Sequence, residues 1–352
     1  MDNSASGIRM PAEWEPHVAT WVSWPHNSDT WPDNLAQAQA EFVQLVAAIA
    51  RSEPVVVLCP ENQRANWESQ FDEFSTTLEN RVHTIEIPTN DAWIRDYGPT
   101  FVFENDQTVA VDWTYNAWGG KYPPFDDDQQ VVQRSLQKLP TTLTRGNTIE
   151  RRISRLCLEG GAIEVNSDGT LLCTRLCVLN ENRNKGWTID QVEAEFRRLL
   201  GVREFLWMDG AGIEGDDTDG HIDQLARFAP GNKIVCASAV RTDSQHLPLQ
   251  KNIGELERAI AEKNLPYHLV PLPVPKPVEY QGRRMPASYC NFFITNQHVL
   301  VPQFGDPSAD ALAMETLINL FAPDREVIGL PSIHLVTGLG SFHCLTQQHP
   351  KA

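Results

Sequence analysis

"LEGGAIEVNSDGTLLCT", residues 158–174, is the stretch whose reading decides the fold. Apolar and polar residues alternate into Asp168-Gly169 and out again, the pattern of a β-hairpin with a tight turn. Three other stretches repeat it: "RDYGPTFVFENDQTVAVDW" from Arg95, "DGHIDQLARFAPGNKIVCAS" from Asp219 with a turn at Pro230-Gly231, and "ASYCNFFITNQHVLVPQF" from Ala287. The starts fall roughly every sixty residues, and one such unit cannot bury its own apolar face. Helical periodicity fills the intervals at 34–52, at 188–201 (Thr188 as cap, Gly201 as stop) and at 308–323. Strand-like runs accompany it in "PVVVLCP", "VHTIEIP", "HLVPLPVP" and "REVIGLP". The pattern predicts an α/β chain, residues 1–352 as a single domain, built as a closed array of about five ββαβ units.

Composition narrows the function. The chain has 352 residues, 41% hydrophobic and 21% charged, with a formal net charge of −17. That balance argues against nucleic acid or an anionic membrane as partner and suits a small cationic one. No apolar run approaches the ~20 residues of a membrane span, and the first residues lack the basic and apolar regions of a secretory signal. Seven scattered cysteines, without CxxC pairs, fit a reduced, cytoplasmic protein. "CTRLC" is expected to place Cys173 and Cys177 on one face of a strand. "DDDQQ", residues 126–130, reads as a solvated loop, with Asp128 in water. No zinc spacing, P-loop or GxGxxG is present, so nothing calls for a metal or nucleotide cofactor.

The chemistry-bearing residues fall at matching places. Asp96, Glu159 and His221 each lie at the entry to a hairpin, and Cys344 lies in a glycine-spaced loop, "GLGSFHC", near the end of the chain. Equivalent positions of a closed array converge on its axis. A thiol among carboxylates is normally blunted, because their charge opposes the thiolate. The set makes sense if the substrate brings a positive charge. A planar guanidinium offers N–H donors that match carboxylates and a central carbon open to attack. Asp96 and Asp223 could clamp its edges while Cys344 attacks. His221, expected on the same strand face as Asp223, would protonate the leaving amine and then activate water. Glu159 could hold the guanidinium or orient His221.

On these residues the chain resembles the agmatine deiminases, within the guanidine-modifying enzymes that include the bacterial-type peptidylarginine deiminases. The likeness runs end to end through "MPAEWEPHVATWVSWPHNSDTWP", "NDAWIRDYGPTFV", "CLEGGAIEV", "LNENRN", "GDDTDGHID", "ASYCNFFITN", "VPQFGDP" and "SFHCLTQQ". It implies a five-bladed α/β-propeller (the pentein fold) around a pseudo-five-fold axis. It also implies cofactor-free hydrolysis of a guanidinium through a thiouronium-type adduct. Carried over by motif, the nucleophile is Cys344, the catalytic histidine His221, the guanidinium carboxylates Asp96 and Asp223, and the EGG glutamate Glu159. Trp93 is the aromatic along the substrate's aliphatic chain. Asp217, rather than Asp219, faces the far amine. Departures surround the pocket: "GLGSFHC" stands where many members have "GGGNIHC", Gln224 follows "GHID" in place of Asn, and Ala162 stands where "GGSI" has Ser.

The reading is therefore hydrolysis of agmatine to N-carbamoylputrescine and ammonia, in a pocket offering acid to the far amine and nothing basic, with a homo-oligomer possible. Deimination of peptidyl or free arginine is the near alternative, and amidino transfer to an amine another. A non-catalytic polyamine-binding propeller would need only the carboxylates.

Overall fold

A computed structural model describes residues 7–78, 81–144 and 146–352. In it the hairpin at 158–174 forms as expected, Ile163–Val165 pairing antiparallel with Thr170–Thr174. Gly169 supplies the positive φ of its turn, +79°. A helix, Ile189–Leu200, then leads to Glu204–Met208, which returns parallel to Thr170–Thr174. The helix begins with a capping box between Thr188 and Gln191 and stops at Gly201 in the left-handed conformation, as its sequence signals require.

The same order recurs. Thr100–Glu104 pairs antiparallel with Gln107–Thr114, which pairs parallel with Glu150–Cys157. Ala226–Ala229, Lys233–Ser238 and His268–Pro273 repeat it, as do Phe293–Ile294, His298–Gln303 and Glu326–Pro331. In a fifth sheet the antiparallel partner comes from the other end of the chain. Thr346–Pro350 pairs with His17–Ser23, which runs parallel to Val55–Cys59 and through it to Val82–Glu86. Among the described residues these five sheets are separate, joined by no strand that closes them into one.

Helices Leu35–Ser52, His246–Glu262 and Pro307–Phe321 cover the sheets. Trp21, Trp24, Trp31 and Trp67 are fully buried in the first core. No helix among the described residues is long and apolar enough to cross a membrane.

Three local expectations are corrected. Cys173 lies on Thr170–Thr174, but Cys177 lies on the short helix Arg175–Val178, so they share no strand face. His221 and Asp223 are not on a strand either. His221 caps, and Asp223 sits within, the 3₁₀ turn Ile222–Gln224, ahead of the strand Ala226–Ala229. A 3₁₀ turn precedes other hairpins too, at Gly160–Ala162 and Tyr289–Asn291, and a single α-helical turn does so at Ile94–Tyr97. Finally, Asp128 is not solvated. It is 2% exposed and accepts from the Asn90 amide at 2.7 Å.

Because Thr346–Pro350 completes the sheet of His17–Ser23, this last strand is structural. A chain ending at Leu345 should fail to melt cooperatively, whereas loss of Ala352 alone should leave thermal unfolding unchanged. A cooperative, wild-type-like melt of the shorter chain would contradict this pairing.

Candidate active site

The turns that precede the hairpins deliver the titratable side chains. Gly161, in the turn after Glu159, marks where they meet. A Cβ there would lie 2.7 Å from His221 Nδ1, 2.8 Å from Asp96 Oδ1 and 3.0 Å from Asp223 Oδ2. Real side chains do not pack so closely, so the glycine's missing side chain is what lets an imidazole and two carboxylates converge. Its own amide donates to Asp96 Oδ1 at 3.0 Å, and Trp118 Nε1 donates to Asp96 Oδ2 at 2.8 Å. Trp118 reaches it from a backbone with φ of +55°, a strained setting for a bulky residue.

Cys344 is 5% exposed and 3.5 Å from Asp223 Oδ2. Asn291 frames it: its side-chain nitrogen donates to Sγ at 3.1 Å, and its oxygen accepts from the amides of His343 and Cys344. Burial, followed by the charges of Asp223 and Asp96, pushes the thiol well above the ordinary cysteine range. That environment favours the thiol over the thiolate.

Burial opposes charge on His221, but Asp96 and hydrogen bonds to Cys177 and Glu159 overcome it and raise its pKa well above the usual imidazole value. His221 Nε2 is 3.4 Å from Glu159 Oε2, and its Nδ1 has no hydrogen-bond partner. Glu159 is fully buried, and Arg183 Nε donates to both its oxygens at 2.9 and 2.8 Å. Against burial, Arg183 and His221 keep this carboxyl below the ordinary glutamate range. Of its two readings from sequence, orienting His221 matches the geometry. Asp96 is pushed up to about 6 by burial, with His221 pulling the other way. Asp223 is held below the usual range, His343 and His221 overcoming its burial. Its Oδ1 is buried and has no partner.

A cavity of about 700 Å³ opens onto this cluster, lined by Trp93, Asp96, Trp118, Asp128, Asp217 and Cys344 among others. His221, Asp223 and Glu159 are buried behind that lining. Trp93 is backed by Trp31, ring centroids 5.4 Å apart, and a Cβ on Gly340 would strike its ring at 2.4 Å. That contact explains the second glycine of "GLG". Asp217 accepts from the Tyr122 hydroxyl, and its pKa is raised chiefly by burial. Asp219 instead pairs with Arg183 at 2.6 Å and Lys121 at 2.9 Å. Lys121 and Arg283 also line the cavity.

The structure thus brings Asp96, Glu159, His221, Asp223 and Cys344 together and puts Trp93 and Asp217 on the cavity wall. Reading by motif and chemical type passes over Asn291, Arg183, Trp118 and His343. Of these, His343, beside the nucleophile, is the most findable. Two groups place three donor atoms within 4.8 Å of one another: Glu159, Cys177 and His221, and Glu13, Glu164 and His343. Each already contains an arginine ion pair, Arg183 on the first and Arg227 on the second.

A model of the Porphyromonas-type peptidyl-arginine deiminase family matches residues 9–350. The agmatine deiminase of Pseudomonas aeruginosa (strain LESB58) is 35% identical, the alignment covering 98% of this chain and 96% of that one. Among solved structures, a cysteine-to-serine variant of the agmatine deiminase of C. jejuni with substrate bound superposes with a TM-score of 0.86. It is 30% identical and the match covers 98% of this chain and 97% of that one. The agmatine deiminase of Enterococcus faecalis gives 0.87 at 31% identity, covering 98% and 96%. The likeness spans both the hairpin units and the motifs that deliver the site, and the chain belongs to the Porphyromonas-type peptidyl-arginine deiminase family.

Proposed function

We propose that this protein is an agmatine deiminase, a hydrolase that converts agmatine and water to N-carbamoylputrescine and ammonia in one catalytic domain spanning residues 1–352. The five sheets are taken as blades of an α/β-propeller whose axis passes through the site, and the working compartment as the cytoplasm. The observation that carries the reading is the buried, unpartnered Oδ1 of Asp223, beside Asp96 and the Cys344 thiol and behind a cavity whose wall includes Asp96 and Asp217. A carboxylate oxygen buried without a donor is costly, and a bound guanidinium supplies the donor.

Agmatine lies along Trp93 with its ammonium toward Asp217 and its guanidinium between Asp96 and Asp223. The arriving cation reverses the field that kept Cys344 protonated. Sulfur adds to the central carbon as the thiol proton is lost. The His221 imidazolium protonates one nitrogen, which leaves as ammonia, and a thiouronium remains on Cys344. The neutral imidazole then takes a proton from water as its oxygen attacks. The C–S bond breaks, sulfur recovers a proton from the new hydroxyl, and the ureido product departs. The proton lost in the first step leaves with ammonia as ammonium, so the cycle balances. Glu159, fixed by Arg183, holds His221 in its charged, donating state.

Agmatine, free arginine and a blocked arginyl peptide assayed side by side for ureido product test the reading. We expect at least about a hundredfold advantage in kcat/KM for agmatine over arginine, roughly 2.7 kcal/mol. An α-carboxylate would meet Asp217, whereas the far ammonium of agmatine is attracted to it. Asp217→Asn should shrink the advantage through a raised KM for agmatine. A peptide turned over as well as agmatine would instead assign the open cavity to protein substrates.

Cys344→Ser should lose several orders of magnitude in turnover with an unchanged melt, because no strong base contacts position 344 to ionise a hydroxyl. More than about a tenth of wild-type activity in that variant would remove the thiol from the mechanism.

The thiol's titration gives a further check. Because its pKa is raised, Cys344 in the free protein should be alkylated slowly by iodoacetamide at pH 7.5, the rate rising only above pH 9. In Asp96→Asn one opposing charge is gone, so the rise should move to lower pH. An unmoved or upward-moved profile would contradict the electrostatic account.

A further inference from the structure

His343 lies one residue before the nucleophile and makes no part of the chemistry above. Its side chain is fully buried between two carboxylates. Nδ1 is 2.8 Å from Asp223 Oδ2, and Nε2 is 2.9 Å from Glu13 Oε2. Despite burial, Glu13 is held far below the ordinary glutamate range by Arg227, His343 and Arg95, and Asp223 is also held low. The ring bridges the two carboxylates, one at each nitrogen.

Ion pairs surround this bridge. Glu13 Oε2 also receives Arg227 Nη2 at 2.8 Å and faces Arg95 at 3.6 Å, and Glu13 Oε1 accepts from the Ile294 amide at 2.8 Å. Arg227 pairs with Glu164 at 2.9 Å. Glu13, Glu164 and Asp223 thus face Arg95, Arg227 and His343. The backbone fixes the ring's base, since the His343 amide donates to Asn291 and its carbonyl accepts from Arg95 Nε at 3.2 Å. With Oδ2 held from behind by His343, the Asp223 carboxyl cannot turn, and Oδ1 is left as its only unpaired oxygen.

We propose that His343 is a positioning residue: it pins Asp223 through Nδ1, with Glu13 holding Nε2, so that the free oxygen of Asp223 faces the substrate's guanidinium. The inference rests on the guanidinium reading of the site. It ties an acid ahead of the first long strand to the last residue before the nucleophile.

The test compares alkylation of Cys344 by 2-chloroacetamidine, a cation of guanidinium-like shape, with that by neutral 2-chloroacetamide, the labelled residue being mapped by mass spectrometry. In the wild-type protein the amidine should react faster. The ratio reports the hold of Asp96 and Asp223 on a cation, and a general loosening of the fold would not move it selectively. His343→Asn keeps a donor where Nδ1 stood, toward Asp223, and should retain most of the preference. His343→Gln keeps one only where Nε2 stood, toward Glu13, and its ratio should fall by about tenfold or more. A wild-type ratio in His343→Gln, or equal losses in the Asn and Gln variants, would overturn the proposal while leaving the guanidinium reading intact. No amidine preference in the wild-type protein would overturn both. If neither position-343 variant folds, Glu13→Gln is read the same way. There a ratio reduced at least about threefold supports the proposal and an unchanged one overturns it.

Discussion

Asp223 keeps Oδ1 buried without a hydrogen-bond partner while Oδ2 is tied to His343 and lies 3.5 Å from the Cys344 sulfur. A buried acceptor left unpaired costs about 1–3 kcal/mol, and more when it is charged. The rest of the site can be derived from that tension. Asp96 nearby is pushed up to about 6 by burial, so both carboxylates stand in a state that the N–H donors of a planar cation would relieve. The same charges, with burial, favour the protonated form of the Cys344 thiol.

Holding these groups apart from water and close to one another is the work of the fold. The short turns Ile94–Tyr97, Gly160–Ala162, Ile222–Gln224 and Tyr289–Asn291 each precede a hairpin and each contribute to the cluster. Pairing of Thr346–Pro350 with His17–Ser23 brings Cys344 to them from the far end of the chain. Bare backbone matters as much as side chains. Gly161 makes room for three functional atoms and Gly340 makes room for Trp93. A side chain at Gly161 would displace the converging polar groups, and one at Gly340 would push on Trp93, which packs in the core.

Much of this is legible in the amino-acid sequence. Alternation through Asp168-Gly169 and its counterparts locates the hairpins, and Thr188 and Gly201 bound their helix, because these signals are local. The residues of the site stand out by chemical type at recurring positions. What escapes depends on contacts across long separations. A 3₁₀ turn at Ile222–Gln224 has no periodicity to betray it in three residues. Asp128 reads as solvated because its neighbours are polar, yet it is buried against the backbone of Asn90. Arg183, Asn291 and His343 act through partners 24 to 330 positions away, which no single window of sequence displays. Lys121 and Arg283 reach the cavity for the same reason.

The central claim is that a buried thiol attacks a cationic carbon which the carboxylates hold in place. Acid quenching during turnover of agmatine, followed by mass analysis of the peptide carrying Cys344, tests it most directly. The account predicts an adduct on Cys344 with the mass of agmatine less ammonia, present in the steady state and lost as substrate is exhausted. Turnover with Cys344 unmodified throughout, or an adduct on Cys177 instead, would contradict it.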